Sequence, residues 1–91
     1  MKVVWQKSVE KSLKKLPWFI VEKFRAWVVA VETDGIRKTR LLKGLHDEPL
    51  AGNRKGQRSV RLSKSYRAFY IEKKDGSLEL IEVIEVNKHG Y

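Results

Sequence analysis

The stretch QRSVRLSKSYRAFYIEKKDGSLELIEVIEV, residues 57–86, decides the fold. Its side chains alternate, with period two, where a helix would repeat every third or fourth place. Val60 and Leu62 fall on one face, and Ser59, Arg61 and Ser63 on the other. Lys64-Ser65 supplies a turn. Tyr66 to Glu72 then reads as a second strand, with Phe69 and Ile71 expected in the core. Lys74-Asp75-Gly76-Ser77 is a hairpin signal, because Asp-Gly accepts the positive φ values of a tight type I′ loop. Leu78 to Val86 is apolar on both alternations, as a central strand covered on one face would be.

Upstream, the period changes. Val3-Val4-Trp5 is short and β-prone, and predicts a first strand. Ser8 can cap a helix on which Val9, Leu13 and Leu16 share one face. Pro17 ends that helix or opens the next at its first position. Ile20, Phe24, Trp27, Val28 and Val31 form a stronger helical stripe, stopped at Asp34-Gly35. Ile36 to Leu42 has room for a further helical turn, and residues 47–53 read as loop. Trp5, Trp18 and Trp27 sit in apolar patterns and are expected mainly in the core. The chain is thus expected to be a single α+β domain over residues 1–91. Two N-terminal helices pack on one face of a small, twisted, mainly antiparallel sheet. The other face meets water and carries Arg61.

Charge narrows the function. Twenty Lys+Arg stand against 11 Asp+Glu, a net +9 in only 91 residues. The charge is clustered: no acidic residue occurs from Leu50 to Ile71, where Arg54, Lys55, Arg58, Arg61, Lys64 and Arg67 lie. Lys7, Lys11, Lys14 and Lys15 make the first helix basic as well. Such a domain is drawn to polyanions, chiefly nucleic acid. There are no cysteines, which excludes disulfides and thiolate metal sites and suits a reducing cytoplasm. His46 and His89 alone make a protein zinc site improbable, and no metal or cofactor is expected. The longest nearly apolar run, Ala26 to Val31, falls far short of the ~20 residues of a membrane span. With no apolar signal core after Met1-Lys2, a soluble, cytoplasmic protein without membrane partners is expected.

Three segments carry a resemblance. Glu48-Pro49-Leu50-Ala51-Gly52-Asn53 leads into Arg54-Lys55-Gly56-Gln57-Arg58-Ser59-Val60-Arg61-Leu62; Tyr66-Arg67-Ala68-Phe69-Tyr70 follows, and the chain ends Lys88-His89-Gly90-Tyr91. Together they resemble the RelE/ParE superfamily, the toxin halves of type II toxin–antitoxin pairs. The likeness is strongest to the HigB and YoeB-like branch, where a Pro-Leu-x-Gly loop precedes a basic strand and the tail is His-Tyr-like. The resemblance implies an endoribonuclease that cuts messenger RNA in the A site of the 70S ribosome. It also implies a cognate antitoxin, acidic or amphipathic, with operator DNA bound only through the antitoxin complex.

RNA can be cut without a metal. The ribose 2′-hydroxyl attacks phosphorus and the 5′-oxygen leaves, which needs a base, positive charge on the phosphorane and an acid. Arginine suits the phosphate and histidine the proton transfer. On this resemblance Glu48, Arg61, His89 and Tyr91 are the catalytic candidates, with Glu48 as base and His89 as acid. Arg54, Lys55, Arg58, Lys64, Arg67 and Lys88 are the candidates for holding RNA backbone. Arg67 has an alternative, pairing with a carboxylate such as Glu82 inside the sheet. His46 is expected to be structural or exposed, and Asp47 is left undecided. The competing functions are a ParE-like inhibitor of DNA gyrase and an RNA-binding module without catalysis.

Overall fold

The computed structural model describes residues 1–88 and places them in one five-stranded sheet with helices on one face. Strand β1 (Lys2–Trp5) leads into α1 (Lys7–Lys14), α2 (Trp18–Asp34) and a single-turn α3 (Ile36–Thr39). A 3₁₀ turn at Lys43–Leu45 precedes β2 (Glu48–Pro49), and a second one at Gly52–Arg54 precedes β3 (Arg58–Arg61). Strands β4 (Tyr66–Asp75) and β5 (Leu78–Lys88) form the long hairpin. The spatial order is β1-β5-β4-β3-β2. Every pairing is antiparallel except β1 with β5, which the helical crossover makes parallel.

The expected α+β architecture holds, and the helical stripes bury as expected. Ile20, Phe24, Trp27 and Val31 of α2 are all buried, as are Val9 and Leu13 of α1. Each such side chain contributes roughly 1.5–3 kcal/mol by leaving water. Across from them lie Val60, Ala68, Tyr70, Ile81, Val83 and Val86 of the sheet. Trp27 packs on Tyr70 with ring centroids 5.4 Å apart, and Trp5 meets Phe24 edge-on at 5.2 Å. Gly35, at φ 87, ends α2 where expected.

Several local expectations are corrected. The first helix starts after Gln6, and Ser8 is already inside it. Trp18 is exposed rather than core; it is the first residue of α2, just after Pro17. The hairpin loop is Gly76-Ser77, not Asp75-Gly76. Gly76 has φ 63 and Ser77 is not left-handed, which is the pattern of a type II′ loop. Residues 48–49 pair with β3 and are not simply loop.

The most consequential correction is the phase of β4. Ala68 and Tyr70 face the helices, so Phe69 and Ile71 face the other way. Both alternations of this strand are apolar, so period alone does not choose between them. The choice falls on the side where the Tyr70 hydroxyl finds a buried partner. In β5 a bulge resets the alternation: Phe69 is opposite Glu85 while Tyr70 is opposite Val83, leaving Ile84 extra. Ile81, Val83 and Val86 therefore share the helix side.

Candidate active site on the open sheet face

The face away from the helices carries two rows of side chains. Glu48, Ser59, Phe69 and Glu85 stand in register across β2, β3, β4 and β5. Arg61, Arg67 and Asn87 form the next row. The carboxylate of Glu48 is open to solvent, at 60% exposure. Arg67 lies beside it: one Nη1 donates to Ser59 Oγ at 2.9 Å and sits 3.8 Å from Glu48 Oε1. The guanidinium is largely covered and Ser59 beneath it is buried. A fixed cation next to a free carboxylate can bind a phosphate and leave the carboxylate to take a proton.

Glu48 and Arg67 are therefore the pair that the fold brings together. Arg61 is opposite Arg67 in the strand register, but its Nε donates to the Ser63 carbonyl at 3.3 Å, toward the bend after β3. Glu82 is not the partner of Arg67; it pairs with Lys73 at 2.9 Å. The place of Arg67 beside Glu48 was hidden in the sequence by its position among other basic residues. The alternation of β4 carried the signal, once Ala68 is assigned to the core.

The remaining basic candidates separate. Lys55, Lys64 and Lys88 are exposed, and Arg54 lies over the open face with its guanidinium 4.2 Å from the Phe69 ring centroid. Arg58 does not join them. It points to the helix side, where its Nε donates to Asp47 Oδ1 at 2.7 Å. His89 and Tyr91 lie outside the described residues. The described chain ends at Lys88, one residue beyond Asn87, the register partner of Arg67.

Beneath the sheet a second charged cluster holds the loop that carries Glu48. Asp47 is 1% exposed. It accepts from Tyr70 Oη at 2.5 Å and from Arg58, and lies 3.9 Å from Arg40, which in turn pairs with Glu72 at 2.7 Å. Burial, followed by the hydrogen bond to Asp47 and the charge of that carboxylate, pushes the Tyr70 hydroxyl well above the ordinary tyrosine value. His46, exposed and left-handed at φ 42, turns the chain into Asp47 and Glu48. It is exposed, one of the two places expected for it. Among the described residues, no three of His, Cys, Asp and Glu cluster as a metal site requires. No helix there is long and apolar enough to cross a membrane.

Solved structures share this arrangement of elements. A YoeB/ParE toxin from Agrobacterium tumefaciens superposes with a TM-score of 0.75 at 26% identity, over 99% of this chain and 100% of that one. The fold is that of the RelE/ParE toxin superfamily. The YoeB–YefM complex from Staphylococcus aureus superposes at 0.70 and 17% identity, over 100% and 98%. The RelBE2 toxin–antitoxin complex from Mycobacterium tuberculosis gives 0.58 and 22%, over 96% and 95%. Within this superfamily the likeness is to YoeB-type toxins. The chain matches no protein-family model and no curated relative.

Proposed function

We propose that this chain is the toxin of a type II toxin–antitoxin system and cleaves messenger RNA on the ribosome. The observation that carries the reading is the exposed Glu48 carboxylate 3.8 Å from the fixed guanidinium of Arg67. Glu48 takes the proton of the ribose 2′-hydroxyl. Arg67, and Arg61 in the same row, meet the charge that grows on the phosphorane oxygens. His89 returns a proton to the leaving 5′-oxygen, and Tyr91 aligns the phosphate or stacks on a base. The reaction requires no metal, because each proton and charge has a side chain assigned to it. Arg54, Lys55, Lys64 and Lys88 hold message or ribosomal RNA. The net +9 gives that binding its strength and its salt dependence.

The partners follow from the same charge. An acidic or amphipathic antitoxin segment covers the basic open face and keeps Glu48 from RNA. The YoeB–YefM and RelBE2 neighbours are themselves complexes of this kind, which supports an antitoxin here. Operator DNA is bound through that complex.

Primer extension on a reporter message in a purified translation system tests the reading, with wild type and His89→Ala side by side. New 5′ ends that need both ribosomes and wild-type protein are expected. Intact message with both proteins overturns it, and a gyrase supercoiling assay then tests the ParE-like alternative.

A further inference from the structure

Phe69 is out of place on its face. Its cross-strand neighbours there are Ser59 and Glu85, with Arg67 and Ile71 on either side along β4, and it is not part of the helix-side core. The ring is half-buried on this face although no helix covers it. It is instead covered by a cation: Arg54 stacks on it at 4.2 Å from the centroid. Arg54 is held there by Glu85 Oε1 at 2.5 Å and Gln57 Oε1 at 3.3 Å. Its 3₁₀ turn is bracketed by left-handed Gly52 (φ 64) and Gly56 (φ 95), which let the chain fold back over the sheet.

We propose that Phe69 is a stacking platform for a nucleobase of single-stranded RNA, and that Arg54, tethered by Glu85, covers the platform in the free protein. This rests on the reading of the open face as an RNA site. A planar guanidinium on a ring occupies the space that a planar base takes in a single-strand binding site. Surrounding charge selects the occupant. Arg61 and Arg67 form the row next to the ring, and no acidic residue occurs from Leu50 to Ile71. When a base arrives, it displaces the guanidinium from the ring. Arg54 then leaves the Glu85 carboxylate for a pair of phosphate oxygens, which accept a guanidinium with the same forked geometry. Glu85 thus holds the place of the RNA backbone until RNA is present. Phe69 is two strands from Glu48, roughly 10 Å at ordinary strand spacing, so the base it takes is one flanking the ribose that Glu48 reaches.

The test is binding of a short 2′-O-methyl RNA carrying 2-aminopurine, which has no 2′-hydroxyl to attack and cannot be cut. Stacking quenches the 2-aminopurine fluorescence. Wild type is expected to quench it. Phe69→Leu should weaken binding about five- to a hundredfold with the salt dependence unchanged, and Phe69→Tyr should restore it. Arg54→Ala should keep the quench but lower the salt slope by about one phosphate contact. Glu85→Gln, which leaves Phe69 untouched, should tighten binding a few-fold by releasing the cover. Wild-type affinity in a folded Phe69→Leu, absence of quenching by wild type, or weaker binding by Glu85→Gln overturns the proposal. Quenching without message cleavage in the translation assay leaves the platform standing and overturns only the nuclease reading.

Discussion

Asp47 and Glu48 are neighbours in the chain, and both are carboxylates beside arginines, yet they lie on opposite sides of the sheet. Asp47 is 1% exposed and bound by Tyr70 and Arg58; Glu48 is 60% exposed and 3.8 Å from Arg67. The buried cluster has its charges paired, and among the described residues Arg40 Nε is its one buried polar side-chain atom without a hydrogen bond. The exposed pair has a fixed cation and a free carboxylate lone pair, which is what a phosphate and a 2′-hydroxyl need. A one-residue step at the start of β2, with its reversal of side-chain direction, separates a buried ion cluster from an exposed one.

The comparison breaks first at Asp47. Asp47→Ala leaves Arg58 and Tyr70 without their acceptor and should cost about 3–5 kcal/mol in urea unfolding. A loss below 1 kcal/mol would show that the cluster does not hold the loop. Next comes Arg67→Ala. Cleavage should fall on the order of 10²–10³-fold, read as the rate of new 5′ ends, while stability drops by only about 1 kcal/mol for the lost bond to Ser59. A large stability loss would move Arg67 into the structural group.

Tyr70→Phe sharpens the buried side. It should cost about 1–2 kcal/mol at pH 7, as one hydrogen bond to a charged acceptor is lost. The folded value of Tyr70 lies above its unfolded value. Its stabilisation is therefore complete below the ordinary tyrosine value of about 10 and is lost as pH rises through the folded value. Denaturation across that range should show wild type losing its advantage over Tyr70→Phe on the alkaline side. A gap that stays constant with pH contradicts the assignment. The smallest effect is expected of Ser59→Ala. Arg67 keeps Glu48 as a neighbour, and stability should change by about 0.5–1 kcal/mol, with a modest fall in cleavage rate.

Much of this was legible in the chain, and the rest failed for identifiable reasons. The α2 stripe from Ile20 to Val31, the Gly35 stop and the three C-terminal strands follow from period and turn chemistry. Glu48 was legible as a loop carboxylate next to a basic strand. The phase of β4 was not, because Tyr66, Ala68 and Tyr70 compete with Phe69 and Ile71 for the same core. That one ambiguity concealed two things at once: Arg67 as the partner of Glu48, and Phe69 on the open face. The bulge at Ile84 was equally hidden, since Leu78 to Val86 is apolar on both alternations. The different fates of Asp47 and Glu48 depend on Tyr70, 23 residues away, and on Arg58, 11 away. No local pattern encodes contacts at that range.

The most direct measurement of the central claim is cleavage by Glu48→Gln in a purified translation system, with urea unfolding of the same preparation. Loss of new 5′ ends at unchanged stability, within about 0.5 kcal/mol as for an exposed site, is the predicted result. Cleavage at the wild-type rate by Glu48→Gln would contradict it and remove Glu48 as the base.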